Sequence, residues 1–189
     1  MPFKGDRGLR RVVVVGVLLL AGGAALLIPR LSDHKIRTIG PSMRPTIKSP
    51  IDLDIDVHAY DRAAPAIGDI VTAQAPSGVR SEVCGEAHPS DEACPAATSD
   101  FSNIRVVKRV VAGPGDTVAF SADGHLIRNG VRQAEPYIRP CTDECRLSRP
   151  LLIPSGRYVL AGDNRPVSND SRFWGPLPAG SIDGRITLP

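Results

Sequence analysis

One serine of the chain lies in a segment whose backbone is tightly restricted. Ser42 stands in the stretch 40–46 (GPSMRPT), directly after Pro41 and three residues before Pro45. Proline fixes the φ angle, and the leading glycine permits dihedral angles that other residues avoid. A nucleophilic oxygen must be held in attack geometry, and a rigid non-helical turn does this. The segment therefore indicates a candidate nucleophile, although a plain Ser/Pro turn has the same pattern.

The second reactive side chain is a lysine inside a largely β-branched run. Lys108 lies within 104–111 (IRVVKRVV), a stretch that could be buried. Burial favours the neutral amine, so a lysine removed from water loses its proton at a lower pH. A neutral amine beside Ser42 could accept the serine proton without a histidine. The alternative is an edge-strand lysine that points outward and prevents aggregation.

A third segment is dense in hydrogen-bonding side chains. Residues 162–175 (GDNRPVSNDSRFWG) include the only tryptophan of the chain, Trp174. A hydroxyl from this segment could hold the lysine, and an acid–arginine pair could fix the shape of the loop. The alternative is a solvated loop with no role in chemistry.

Short strands are expected to position these groups. Glycine and proline number 18 each and aromatic residues make up 4% of the chain, a composition typical of strands joined by tight turns. The pair Asn129-Gly130 is a strong hairpin signal. We predict an all-β, largely antiparallel domain with no amphipathic helix after residue 30. The predicted strands are Ile51–His58, Asp69–Ala73, Ile104–Val111, Thr117–Phe120, His125–Arg128, Tyr158–Ala161 and Ile182–Leu188.

The N-terminal region predicts a single transmembrane helix. The 17 residues 12–28 (VVVVGVLLLAGGAALLI) carry no charge and would span roughly 26 Å as a helix. Flanking arginines can extend this reach by snorkelling. The basic residues before the run place residues 1–11 in the cytoplasm and 31–189 outside, with 31–38 as a polar link. A cleaved signal peptide and a buried core helix are the alternatives.

The four cysteines agree with export. An even number of cysteines in an exported domain indicates disulfides, with three possible connectivities. Pairing within each small polar loop, Cys84–Cys94 and Cys141–Cys145, is the connectivity that we predict. A zinc site of Cys84, Cys94 and His88 is the alternative, but its spacings match no common structural pattern. Residues 76–103 are rich in Ser, Pro and acids and are predicted to form a surface insertion.

Four short blocks, in this order, resemble the sequence boxes of the type I signal peptidases, serine/lysine peptidases of family S26. The resemblance covers residues 12–188. The blocks are Ser42-Met43-x-Pro45-Thr46, Gly68-Asp69-Ile70-Val71, Lys108-Arg109-Val110-Val111 with Pro114-Gly115-Asp116, and Gly162-Asp163-Asn164-Arg165 with Ser168, Asp170-Ser171-Arg172 and Trp174-Gly175.

The resemblance implies a signal-peptidase-like β domain and a role for each matching residue. Ser42 would attack the scissile carbonyl, Lys108 would act as general base, and Ser168 would orient the lysine amine. The Ser42 N–H would donate to the oxyanion. Some family members place a second, serine donor where this chain has Gly40. Three further residues would act structurally: Asp163, Asp170 and Arg172.

The resemblance also implies a substrate class. The substrates would be exported preproteins, cut after small residues at the membrane lipid surface, with no metal and no cofactor. Two alternatives remain: a maturation protease dedicated to a few clients, such as a conjugative pilus subunit, and a non-catalytic membrane-anchored β domain that binds peptides. The net charge of +3, with 23 basic and 20 acidic residues interspersed, does not indicate a nucleic-acid partner.

Overall fold

A computed structural model describes residues 34–77, 84–88, 93–142, 145 and 147–188 of the chain. The chain divides into two units, Met1–Arg30 and Leu31–Pro189, and every described residue belongs to the second. The predicted cytoplasmic segment 1–11 and anchor 12–28 lie outside the described residues. Within the described ranges, no helix has the length and apolar character needed to cross a membrane.

The described domain is built almost entirely from β-strands, as predicted. The one α-helix among the described residues is a single turn, α1 (Ser171–Trp174). The strands are β1 (His34–Thr38), β2 (Ile51–Asp56), β3 (Ile70–Pro76), β4 (Phe101–Ala112), β5 (Thr117–Phe120), β6 (Leu126–Arg128), β7 (Val131–Arg132), β8 (Leu147–Leu152), β9 (Arg157–Ala161), β10 (Leu177–Pro178) and β11 (Ile182–Thr187).

The strands form two sheets in which all neighbours are antiparallel. The larger sheet has the order β1-β2-β11-β3-β4-β9-β10 and the smaller one β7-β6-β5-β8. The predicted hairpin at Asn129-Gly130 is confirmed, because Arg128 pairs with Val131 across it. Both turn residues have positive φ, 53° and 77°, as a two-residue turn of type I′ requires.

The core lies along the central strands of the larger sheet. Val110 of β4, Leu160 of β9 and Trp174 of α1 are each fully buried in one apolar cluster. Burying a large apolar side chain stabilises the fold by about 1.5–3 kcal/mol. The helical turn α1 is therefore fixed to the sheet by its tryptophan, so the loop that carries it has a defined position.

Three strands and the helical turn were not predicted, and the two-residue β7 was implied only by the hairpin signal at Asn129-Gly130. Residues 31–38 were expected to be a polar link, but His34–Thr38 forms β1, which pairs with β2 at the edge of the larger sheet. An edge strand exposed to water needs no apolar pattern, and the sequence HKIRT has none. The strands β8 and β10 and the turn α1 are likewise short or lack a clear period.

The expectation of a surface insertion at 76–103 was wrong for part of its length. Phe101 already belongs to β4. Within the segment that precedes β4, the residues Cys94, Ala96 and Ala97 are buried. Both predicted disulfides, Cys84–Cys94 and Cys141–Cys145, are present. The sulfurs of Cys84 and Cys94 lie near His88, but a disulfide sulfur is not the thiolate that zinc binds.

Candidate active site

Ser42 is held between the core and the loop that follows β9. It is the middle residue of a 3₁₀ turn, Pro41–Met43, and the next side chain, Met43, is buried in an apolar cluster. From the other side, the Asn164 N–H donates to the Ser42 carbonyl over 2.9 Å. The Asn164 side-chain amide donates to the Pro41 carbonyl over 3.1 Å. These contacts fix the backbone of the predicted nucleophile.

Lys108 reaches the same point from the middle of β4. It pairs opposite Val71 of β3, and only 4% of its surface is exposed. Lys108 Nζ donates to Ser42 Oγ over 2.8 Å. Once the amine has lost its extra proton, the same nitrogen can accept a proton from the hydroxyl. The fold thus brings together the predicted nucleophile and the predicted base, 66 residues apart.

The surroundings of Lys108 favour its neutral form. Burial is the largest effect and lowers the pKa of Lys108 from 10.5 to about 8. The charges of Asp170 and Asp163 act in the opposite direction, whereas that of Arg172 lowers the pKa further. A lysine with this pKa is a usable base near neutral pH.

The peptide cleavage that the family resemblance implies is expected to depend on pH through Lys108. Below its pKa of about 8, the amine is protonated and cannot accept the serine proton. We therefore expect kcat/KM, measured with a peptide substrate from pH 6 to 10, to rise about tenfold per pH unit and to level off above about 8. Circular dichroism at each pH controls for unfolding. A rate that stays constant from pH 6 to 9 would show that Lys108 is not the base.

Asp163 connects the segment after Ser42 to the strand that carries Lys108. The side chain of Asp163 is fully buried and accepts two hydrogen bonds from Arg109, at 2.9 and 2.7 Å. It also accepts one from the Thr46 hydroxyl at 2.5 Å. Two-pronged bonds from arginine to a carboxylate have a fixed geometry. The predicted structural role of Asp163 is therefore a clamp between these two segments.

Asp170 and Arg172 form a second buried ion pair. The Asp170 carboxylate accepts from Arg172 Nε at 2.8 Å, from Arg172 Nη2 at 2.9 Å and from the Gly162 N–H at 2.9 Å. Burial alone would raise the pKa of Asp170, but the charge and hydrogen bonds of Arg172 hold it below its ordinary value. Asp170 also caps α1 by accepting from the Arg172 N–H. The pair closes the loop between β9 and α1.

Ser168 lies at the site without the predicted bond to the lysine. It is 3% exposed and packs so closely against Gly162 that a Cβ there would overlap it and the Ser42 carbonyl. Among the described residues, however, Ser168 Oγ completes no hydrogen bond. The orienting role of Ser168 toward Lys108 stays a prediction.

Several residues of the site had no role assigned from the sequence. Arg109 and Thr46 stand in the same blocks as the two reactive residues, so their positions were a usable signal. The buried ion pair of Arg165 and Glu135, at 2.7 Å, joins the loop after β9 to the segment that follows β7. Glu135 stands in a polar stretch (RQAEPY), and no local pattern marks it.

The sequence matches, over residues 10–189, the family described as "Signal peptidase, peptidase S26". The chain belongs to this family. Among its relatives in the signal peptidase family is the probable signal peptidase I-1 of Synechocystis, 31% identical over 173 residues, which cover 90% of this chain and 77% of that protein. Signal peptidase I of Leptolyngbya laminosa is 30% identical over 147 residues, 78% of this chain and 63% of that one.

Other relatives match over shorter stretches. Thylakoidal processing peptidase 1 of Arabidopsis thaliana is 41% identical over 85 residues, 44% of this chain. The match spans only 24% of that plant protein. A crystal structure of a signal peptidase I from Enterococcus faecalis aligns with a TM-score of 0.42 at 25% identity, covering 66% of this chain and 98% of that one.

Proposed function

We propose that this protein is a membrane-bound serine endopeptidase that removes N-terminal signal peptides from exported preproteins by a Ser/Lys dyad and cuts after small residues. The observation that carries the proposal is the 2.8 Å contact of the buried Lys108 amine with the Ser42 hydroxyl. Membership of the family supports the same reaction, since relatives from Synechocystis and Leptolyngbya laminosa bear the name signal peptidase I.

The dyad can carry out both steps of peptide hydrolysis. Neutral Lys108 takes the Ser42 proton as Oγ attacks the scissile carbonyl, and the resulting ammonium gives a proton to the leaving amine. This leaves an acyl ester on Ser42. Neutral Lys108 then takes a proton from water, whose oxygen attacks the ester, and the proton returns to Ser42 Oγ as the acid product leaves.

An oxyanion donor is available at the nucleophile itself. Ser42 is the second residue of its 3₁₀ turn, so the turn supplies no carbonyl for its N–H. That N–H could stabilise the tetrahedral intermediate. A side chain at Gly40 would meet nothing within 4 Å, so packing does not require glycine there.

The edge of β4 next to Lys108 suits an extended substrate. Residues Val106–Lys108 pair with β3 on one side. On the other side, β9 pairs with β4 only from Arg109 onward, and no other described strand takes its place. An extended peptide could add to this edge by main-chain hydrogen bonds. Ile39, three residues before the nucleophile, is 78% exposed and offers apolar surface nearby.

The proposed location follows from the N-terminal sequence. We propose that residues 12–28 anchor the chain in the cell membrane, with residues 1–11 in the cytoplasm and 31–189 on the extracytoplasmic side. The uncharged run and the basic residues before it support this topology. A catalytic domain at the membrane surface would meet the scissile bond where a signal peptide leaves the bilayer.

Cleavage of a preprotein in lipid vesicles by the full-length chain tests the proposal. We expect the wild type to release a product whose new N-terminus, read by sequencing, follows a small residue. We expect Ser42→Ala to lower the rate by at least about 10³-fold and the exposed control Ser155→Ala to leave it unchanged. A preprotein in which lysine replaces the small residues before the scissile bond should not be cut.

Each contrary result has a distinct meaning. If Ser42→Ala cuts like the wild type, Ser42 is not the nucleophile. If only one class among several preproteins is cut, the protein is a dedicated maturation protease. If no preprotein is cut although the chain binds them, it is a peptide-binding domain.

A further inference from the structure

A groove of about 670 Å³ lies beside the segment that carries the nucleophile. One wall is the chain just after Ser42, and the other is the segment 138–140. Its lining combines apolar and basic side chains: Arg44, Pro45, Lys48, Ile138, Arg139 and Pro140. None of these residues belongs to β4, whose free edge is proposed to hold an extended substrate.

The second wall is hydrogen-bonded to residues 163–165, in the loop that follows β9. The Arg139 N–H donates to the Asp163 carbonyl over 2.8 Å, and its carbonyl accepts from the Arg165 N–H over 3.1 Å. The same short stretch, 163–165, holds the Ser42 carbonyl through Asn164. The groove therefore has a fixed position relative to the nucleophile.

The groove is positively charged. Three of its six lining residues are basic, Arg44, Lys48 and Arg139, and none is acidic. All three are exposed. Two acidic residues adjoin its second wall: Asp163, whose carbonyl accepts from the Arg139 N–H, and Glu135, three residues before Ile138. Both carboxylates are buried and paired with Arg109 and Arg165, so neither compensates the three cations.

The groove is within reach of a bound substrate. Arg44 is two positions after Ser42, with only Met43 between them, so their Cα atoms are at most about 7.6 Å apart. An extended peptide advances about 3.3 Å per residue. Side chains two to five residues from the scissile bond can therefore reach the groove. The two halves of an extended substrate leave Ser42 in opposite directions, so a half that pairs with the free edge of β4 leaves the groove to the other half.

We infer that this groove binds the leaving half of the substrate, the first residues after the scissile bond, and selects acidic side chains there. The inference rests on the proposed function. It assigns Lys48 and Arg139 as specificity-determining residues, with Pro45, Ile138 and Pro140 as apolar contacts for the peptide. Anionic lipid headgroups would also suit the charge. The substrate is favoured because Arg139 is hydrogen-bonded to residues 163 and 165, which flank the residue that holds the Ser42 carbonyl.

Three preproteins that differ only at the third and fourth residues after the scissile bond test this inference. These positions carry two acids, two glutamines or two lysines. With the full-length wild type in neutral detergent, we expect kcat/KM to be about 3- to 10-fold higher for the acidic than for the glutamine substrate, and lower still for the lysine one. The difference should lie in KM and shrink at high salt.

Charge-reversed variants assign the effect to the groove. For the double variant Lys48→Glu/Arg139→Glu, we expect the order of kcat/KM to reverse. The lysine substrate should be cut faster than the glutamine substrate, and the acidic one more slowly. The matched control Arg62→Glu, at an exposed site outside the groove, should keep the wild-type order. A second substrate set, with the charges placed before the scissile bond, should show no preference.

Five results would overturn the inference. The wild type could cut all three preproteins equally, which leaves the proposed function intact, or cut none, which removes both. The double variant could keep the wild-type order. The preference could follow charges before the bond instead. Finally, the double variant could lose activity only in vesicles with anionic lipid, and to the same extent on all three substrates. That result would show that the groove binds lipid headgroups.

Discussion

Replacing Lys108 with methionine is expected to abolish cleavage and at the same time to stabilise the fold. Lys108 donates to Ser42 Oγ and is the one base that the described structure places on the nucleophile. Loss of a member of a catalytic dyad lowers kcat by about 10³-fold or more. Methionine has a similar length and no charge, so it should fill the same buried space.

The gain in stability follows from the lowered pKa of Lys108. Its folded-state pKa of about 8 lies below the ordinary 10.5, so at neutral pH the fold holds a cation that the unfolded chain keeps in water. This costs up to about 3 kcal/mol. Between pH 8 and 10.5 the unfolded state binds more protons than the folded one, so the stability of the wild type rises with pH and the cost fades.

Thermal unfolding of the two full-length chains at several pH values measures the effect. At pH 7 we expect Lys108→Met to raise Tm by roughly 3 to 10 °C, with the difference shrinking between pH 8 and 10. The exposed control Lys48→Met should leave Tm within about 1 °C at every pH. A lower Tm for Lys108→Met at pH 7 would show that the buried ammonium is stabilised by its neighbours.

Replacing Asp170 with asparagine is expected to cause the largest loss of stability in the site. The change keeps the shape of the side chain but leaves Arg172, a buried cation, without its carboxylate. Removing one partner of a buried ion pair costs about 3–5 kcal/mol. The Gly162 N–H and the first turn of α1 also lose a charged acceptor, so the loop that packs on Ser42 should loosen and activity should fall.

Urea unfolding of the full-length chain checks this, with an exposed pair as control. Asp54 pairs with Lys35 at 2.8 Å, but both side chains are more than half exposed, so Asp54→Asn should cost less than about 1 kcal/mol. The double variant Asp170→Asn/Arg172→Met should recover part of the loss, because it removes the uncompensated cation. If Asp170→Asn and Asp54→Asn lower the free energy of unfolding equally, the buried ion pair contributes no more to stability than the exposed one.

The strands that could be predicted are those whose own residues show a period or a β-branched run. The predicted span Thr117–Phe120 is β5 without change, and Ile104–Val111 differs from β4 only at its ends. The edge strand β1 could not be predicted, because its pairing with β2 stabilises it rather than its own pattern. The burial of Ala96 and Ala97 was not predicted either, because their small side chains give no strong apolar signal.

The candidate site shows the same division. Ser42 and Lys108 could be singled out because their neighbours, prolines for one and β-branched residues for the other, are unusual around such groups. The ion pairs around them could not be predicted, because Asp163 with Arg109 and Arg165 with Glu135 are joined across distant parts of the chain. The predicted bond of Ser168 to Lys108 is not among the described hydrogen bonds, so the orienting role of Ser168 stays a prediction.

The sequence alone determined which chemistry this chain can perform: a serine in a rigid turn, a lysine in a run fit for burial, and strands short enough for an antiparallel β domain. Only the tertiary structure decided that the two groups meet at 2.8 Å and that the lysine has a pKa of about 8. The reason is physical. Side-chain types are local properties, whereas burial, hydrogen-bond geometry and proton affinity depend on atoms that the fold brings from elsewhere in the chain.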